Sequence, residues 1–198
     1  MKDQNSYKQI LKATSLFSGV QFLNIIFSVI KSKFAAILIG PSGMGILGLF
    51  NSTLNLGSGI SKLGLDLSSI REIAYAQQNI SNERVDFIIY ILKKITWITG
   101  LIGALLIISF SSFLSELVFD NKAYSFSFIW IAIALFFRQV MSANLAILQG
   151  RRELVKLAKA NLITSGFSLI ISILLFYYFG VDGIIPVILL SAIIGFFI

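Results

Sequence analysis

From Ser15 to Leu38 the chain is apolar except at a few positions, and Thr14, Ser18, Gln21, Asn24, Ser28 and Lys31 follow one another at intervals of three or four residues. In a helix of 3.6 residues per turn, such a series draws one polar stripe down an apolar cylinder. Gly40-Pro41-Ser42-Gly43 then marks a turn. Beyond it a second apolar segment carries its own stripe, Asn51, Ser52, Asn55, Ser58 and Lys62. Two striped helices packed in a membrane imply a water-filled cavity between them. The second helix is expected to continue past Lys62 toward Ala76, because Leu63, Leu65, Ile70 and Ile73 keep an apolar face after the charges begin.

The same patterning predicts the remaining elements. Gln77 to Asp86 reads as a polar connector and 87–110 as a third span. Ser111 to Ser125 reads as a connector holding Glu116, Asp120 and Lys122, and 126–148 as a fourth span. Gly150-Arg151-Arg152-Glu153 through Lys159 is a basic connector to a fifth span over 162–179. Gly180-Val181-Asp182-Gly183 is a tight turn. The apolar run that follows, Ile184 to Ile198, is shorter than the roughly 20 residues a crossing needs. The expected architecture is all-α, a polytopic membrane bundle of about six helices. Residues 1–198 would form one amino-terminal lobe, cut within or at the end of its sixth helix.

Composition agrees: 57% of the residues are hydrophobic and the mean hydropathy is +0.89, far above soluble averages. There are no cysteines and no histidines, which excludes disulfide frameworks, thiol catalysis and the commonest metal ligands and general base. No cofactor is expected. No paired acid and base converge in any span, so an enzyme is the weakest reading. The net charge of +7 forms no aromatic-interleaved patch, so nucleic acid is not an expected partner. The cations instead report topology. With a cytoplasmic N-terminus, Lys2, Lys8, Lys12, Arg71, Arg84, Lys93, Lys94, Arg151, Arg152, Lys156 and Lys159 lie inside, and Lys31, Lys33 and Lys122 lie toward the outside. The first span is read as an uncleaved helix, because Gln21 and Asn24 interrupt it and no small-residue cleavage pattern precedes Lys31.

Arg138 is the sharpest chemical signal, since Phe136-Phe137-Arg138-Gln139 falls near the middle of the fourth span. An arginine there costs about 2.5–3.5 kcal/mol to insert, so it faces a cavity or a partner rather than lipid. The alternative is a structural arginine bonded to helix-end carbonyls or neighbouring amides. Ser142 lies one turn away on the same face, with Gln149 further along. Lys31 closes the first stripe and either joins the cavity or snorkels to the headgroups; Lys33 points off the stripe and snorkels. Lys62 and Asp66, one turn apart, form a surface ion pair or, with Arg71, an inner mouth that gathers anions. The line Asn161, Ser165, Ser168 and Ser172 on the fifth span reads as helix packing. Gly45, Gly48, Gly57, Gly59 and Gly64 suit either tight packing or flexing of the second helix.

Ser32-Lys33-Phe34, Gly40-Pro41-Ser42-Gly43-Met44-Gly45, Gly64-Leu65-Asp66 and Arg71-Glu72-Ile73-Ala74 together resemble the amino-terminal region of polysaccharide-unit (O-antigen, Wzx-type) flippases of the multidrug/oligosaccharidyl-lipid/polysaccharide exporter superfamily. The resemblance implies two six-helix bundles facing each other across a central cavity, with alternating access. A carboxy-terminal lobe would then complete this one. The implied substrate is an oligosaccharide on undecaprenyl diphosphate, flipped across the bacterial cytoplasmic (inner) membrane for O-antigen or capsule synthesis. Membrane lipids, a polysaccharide polymerase and chain-length proteins are the implied partners. The family carries no short sugar-recognition motif to transfer, so no site residue rests on the resemblance.

The residues themselves suggest a cavity of Arg138, Lys31, Gln21, Asn24, Asn51, Asn55 and Ser142, with Lys62, Asp66 and Arg71 at its inner mouth. Its cationic character suits a diphosphate better than a cationic drug. Two further readings stay open: a small-molecule or drug exporter of the same superfamily, and a non-transporting scaffold of a polysaccharide assembly complex in which the polar stripes act as helix-to-helix glue.

Overall fold

A computed structural model of the chain describes the backbone of residues 2–62, 64–79 and 82–198 and the side chains of 18–62, 64–77 and 83–198. The side chains of Lys2, Lys8, Lys12, Thr14 and Leu63, named above, lie outside the described residues.

The described residues form seven helices and no strands. These are α1 (Lys2–Lys62), α2 (Leu65–Asn79), α3 (Asn82–Ser109), α4 (Ser111–Phe119), α5 (Ser125–Gly150), α6 (Leu154–Phe179) and α7 (Ile184–Phe197). Short 3-10 turns at Lys122–Tyr124 and Gly180–Gly183 lead into α5 and α7. The protein is an all-α helical bundle. Four stretches are long and apolar enough to cross a bilayer: Ser18–Lys62, Glu83–Ser109, Lys122–Gly150 and Leu154–Phe197. Side chains such as Leu56 (69% exposed), Ile60 (70%) and Tyr178 (73%) stand on the bundle surface, where hydrocarbon rather than water is their fitting solvent.

α1 is two limbs. Gly40 breaks it at φ 67°, ψ −176°, a conformation that residues with a Cβ avoid, and Pro41 opens the second limb, where its missing N–H and fixed φ cost nothing. Lys31 and Asn51 line one cavity although a straight helix would hold them about 30 Å apart, so the limbs fold back on each other. The 3-10 turn at Gly180–Gly183 makes the corresponding reversal between α6 and α7, which pack together.

The first apolar cluster lies toward these turns. Phe50, Leu54, Phe128, Ile131, Leu135, Phe176 and Ile184 are buried, and the rings of Phe50, Phe119, Tyr124 and Phe128 meet with centroids 4.3–6.2 Å apart. A second cluster of Ile73, Ala76, Val85, Leu92 and Ile147 joins α2, α3 and α5 at the end where the basic residues gather.

Two expectations change. The second helix, expected to continue past Lys62 toward Ala76, stops at Lys62. Gly64 takes φ +75°, and α2 starts afresh at Leu65 with Ser68 N–H bonded to the Gly64 carbonyl at 3.3 Å. Apolar periodicity survives the break, so the pattern alone conceals it. The stretch 111–125 is also more than a connector. Phe113, Leu114, Leu117 and Val118 recur at helical spacing and form α4, which ends at Asp120 in the left-handed conformation, its N–H bonded to the Glu116 carbonyl.

Candidate functional site

Both limbs of α1 together with α5, α6 and α7 line an open cavity of about 320 Å³. Its polar lining is Lys31, Asn51, Arg138, Ser168 and Ser191, set among Leu47, Leu54, Ala134, Met141, Val187 and Ile188. No aspartate or glutamate is among the lining residues. Two cations and several neutral hydrogen-bonding groups therefore face a space that, among the described residues, carries no compensating carboxylate.

Among the described residues each cation has one hydrogen-bond partner. Arg138, midway along α5, donates from Nη2 to Asn55 Oδ1 at 3.0 Å, which aims the guanidinium across to the second limb. This contact unites the two readings of Arg138: it is bonded to a neighbouring amide and it also lines the cavity. Both residues are exposed, so the remaining guanidinium donors are accessible. Lys31 Nζ donates to Ser168 Oγ at 2.8 Å, and Ser168 Oγ lies 3.1 Å from Ser191 Oγ. Lys31 thus reaches inward to α6 rather than snorkelling along the first limb. Ser172 bonds the Ser168 carbonyl at 2.6 Å and is buried, as expected of a packing serine.

A second, smaller space of about 250 Å³ lies between the first limb of α1 and α6, lined by Asn24, Phe27, Ser28, Lys31, Thr164, Ser165 and Ser168. Lys31 and Ser168 belong to both spaces and form the partition between them.

The sequence-derived set divides in three. Lys31, Asn51 and Arg138 line the main cavity and Asn55 orients Arg138. Asn24 lines the crevice instead. Gln21 is exposed on the first limb and lines neither space, because it lies one turn farther from the Gly40 reversal than Asn24.

Ser142 also departs from the expected cavity set. It shares a face of α5 with Arg138 but sits a full turn lower, about 6 Å, and there it meets the break in the preceding helix. Lys62 Nζ donates to Ser142 Oγ at 2.6 Å, Ser142 donates to Asp66 Oδ2 at 2.8 Å, and Lys62 and Asp66 pair directly at 2.8 Å. The pair expected on the surface is therefore docked on α5 through a hydroxyl. Arg71, on α2, is exposed and is not among the groups bonded in this cluster.

Sequence reasoning assigned Ser165 and Ser168 to packing and passed over Thr164 and Ser191. Ser191 had a signal, as the one hydroxyl in the apolar run after Pro186.

No protein-family model, curated protein or solved structure matches the chain. The functional reading therefore rests on the residues and their geometry. That geometry suits capture of an anion: the guanidinium offers planar paired donors and the ammonium a point charge, in a space flanked by apolar walls that weaken competition from water. Among the described residues no cluster of three or more carboxylates, histidines or cysteines is present to hold a metal.

Proposed function

We propose that this chain is one lobe of a flippase that carries an undecaprenyl-diphosphate-linked oligosaccharide across the bacterial cytoplasmic membrane for O-antigen or capsule synthesis. In this reading the chain crosses the membrane about six times, its N-terminus lies in the cytoplasm, and a second lobe faces the cavity. The observation that carries the proposal is the pair of cations, Lys31 and Arg138, in a carboxylate-free cavity within the apolar part of the bundle. A charge at membrane depth is expensive and is kept where it has a ligand or a pathway to serve. The diphosphate supplies the complementary charge, and Asn51, Ser168 and Ser191 offer hydrogen bonds to neighbouring hydroxyls. The lobes would rock about this site in alternating access, with polymerase and chain-length proteins receiving the product.

The scaffold reading draws on one specific observation, that Arg138 and Lys31 each bond across to another helix limb. One experiment separates the two. Arg138→Ala and Lys31→Ala variants are expressed in a strain lacking the chromosomal copy, and lipid-linked glycan intermediates and surface polysaccharide are quantified. The flippase reading expects normal protein levels, accumulated intermediates and lost surface polymer. Full export by both variants at normal protein levels overturns it. Increased dye or drug sensitivity with unchanged glycan points to the drug-exporter alternative.

A further inference from the structure

Helix register sets the distance between two charged levels of the bundle. At one level the rings of Phe50 and Phe119 meet at 4.9 Å, and the exposed Asp120 and Lys122 follow Phe119. From Phe50 the second limb of α1 descends to Lys62, and α2 carries on in the same direction along α5. Asp66 is bonded to Ser142, and farther along a Cβ on Gly150 would touch Ile73. Arg71 therefore lies about 31 Å from Phe50 along the axis, at 1.5 Å of rise per residue. That is close to the thickness of a bilayer's hydrocarbon core.

α3 runs antiparallel past the same landmarks. Gly103 packs against Ser61, where a Cβ would collide with the serine hydroxyl, and Leu92 shares a buried cluster with Ile73. Lys93 and Lys94 therefore stand level with Arg71, about 13–15 Å beyond the Ser61 contact. All three cations are exposed. Lys62, Arg151 and Lys156 nearby are paired with Asp66, Asp86 and Glu153, whereas Arg71, Lys93 and Lys94 form no ion pair among the described residues. Glu72, the adjoining carboxylate on α2, leaves the helix about 100° around from Arg71. Three cations against one carboxylate make the level positive.

The neighbours of these cations are the residue types of a membrane boundary. Tyr90 and Trp97 flank Lys93 and Lys94 by about one turn on either side, and Leu67 and Tyr75 flank Arg71 on one face of α2; all four are exposed. Tyrosine and tryptophan gather where hydrocarbon gives way to headgroups, and basic side chains at that depth meet anionic lipid.

We propose that Arg71, Lys93 and Lys94 form a binding site for the headgroups of anionic phospholipids in the leaflet at this end of the bundle. The guanidinium can grip a phosphate through paired N–H groups, and the two ammoniums act as point charges. A lipid fits better than a soluble anion, because the apolar and aromatic side chains beside the cations need hydrocarbon and headgroups as their solvent. The site is independent of what the cavity carries, and it fixes the depth at which α2 and α3 sit in the bilayer.

The test is thermal unfolding of the full chain in dodecyl maltoside micelles doped with phosphatidylglycerol or with phosphatidylcholine of the same acyl chains. Phosphatidylglycerol is expected to raise the midpoint by several degrees more than phosphatidylcholine, since a ligand bound only by the folded state stabilises it. Arg71→Gln/Lys93→Gln/Lys94→Gln is expected to lose most of that difference while keeping the response to phosphatidylcholine, which reports an intact fold. Arg84→Gln, at the same end but about 15 Å farther along α3 than Lys94, is expected to keep the difference. Equal effects of the two lipids on the wild type overturn the site, and so does an undiminished difference in the triple variant. An equal loss from Arg84→Gln also overturns it, in favour of diffuse attraction to the whole basic end. If sodium phosphate in plain micelles matches the effect of phosphatidylglycerol, the cations serve a soluble anion and the lipid site is overturned.

Discussion

Ser142 Oγ lies 2.6 Å from Lys62 Nζ, and through that bond the broken end of α1 is fastened to the middle helix of the bundle. The same hydroxyl donates to Asp66 on the far side of the break, so one serine holds both sides of Gly64. Ser142→Ala is expected to lower stability by about 1 kcal/mol, as is typical of a hydrogen bond to a charged network that solvent partly reaches. A double-mutant cycle with Asp66→Asn, measured by unfolding in detergent, should give a coupling of at least about 0.5 kcal/mol. Additive effects would show that the serine is a bystander.

The Gly40 reversal should be intolerant of any side chain. At φ 67°, ψ −176° a Cβ costs about 1–3 kcal/mol, so Gly40→Ala is expected to lower the melting midpoint of the purified protein by several degrees. Gly45→Ala provides the contrast. Gly45 is helical with open space around it, and alanine there is expected to be neutral or stabilising by up to about 1 kcal/mol. An equal loss from both substitutions would mean the turn is not what constrains Gly40.

Asn55 orients Arg138, and under the proposed function the two should differ in what their removal does. Arg138→Ala removes a charged donor and is expected to cut export by ten- to a hundredfold, in line with a charge-assisted bond of about 1.5–3 kcal/mol. Asn55→Ala leaves the charge and frees its direction, so a loss of only a few-fold is expected. Surface-polymer synthesis rates in complemented cells read both. A greater loss from Asn55→Ala would reverse the roles assigned here.

Arg151 and Asp86 form an ion pair at 2.8 Å at the basic end, where Asp86 is well exposed and Arg151 half-buried. Pairs of this kind contribute about 0–1 kcal/mol and are screened by salt. Asp86→Asn should therefore leave export unchanged and shift the unfolding midpoint by no more than a degree or two. A large effect would give the polar space around Gln77, Asp86 and Glu153 a role that the proposed cycle leaves out.

Much of this was legible in the pattern of residues. Apolar runs long enough to span, the glycine turns at Gly40 and Gly180 and the midspan position of Arg138 all follow from local chemistry, and helices cover the expected spans apart from the break at Gly64 and the added α4. What escaped notice required the third dimension. The break at Gly64 is hidden because one glycine among several looks the same whether its φ is negative or positive. Ser142 was grouped with Arg138 because periodicity reports direction around a helix, and the cavity ends before the next turn begins. Ser168 was read as packing because a hydroxyl facing another helix and one facing a ligand leave the same trace in sequence; only Lys31, 137 positions away, separates them.

The carboxylate-free cavity has an electrical consequence under the proposed cycle. With the site empty, Lys31 and Arg138 carry two uncompensated positive charges; with a diphosphate diester seated, the sum is close to zero. When access alternates, the membrane voltage drops across whichever side is closed, so the inward-facing site sits at cytoplasmic potential. Each charge then gains up to about 2.3 kcal/mol per 100 mV in the inward-facing state of an internally negative cell, while the loaded site gains almost nothing. The resting voltage would draw the empty carrier back to its loading side and leave the loaded passage unopposed, giving the cycle a direction without an ion-relay residue in the cavity.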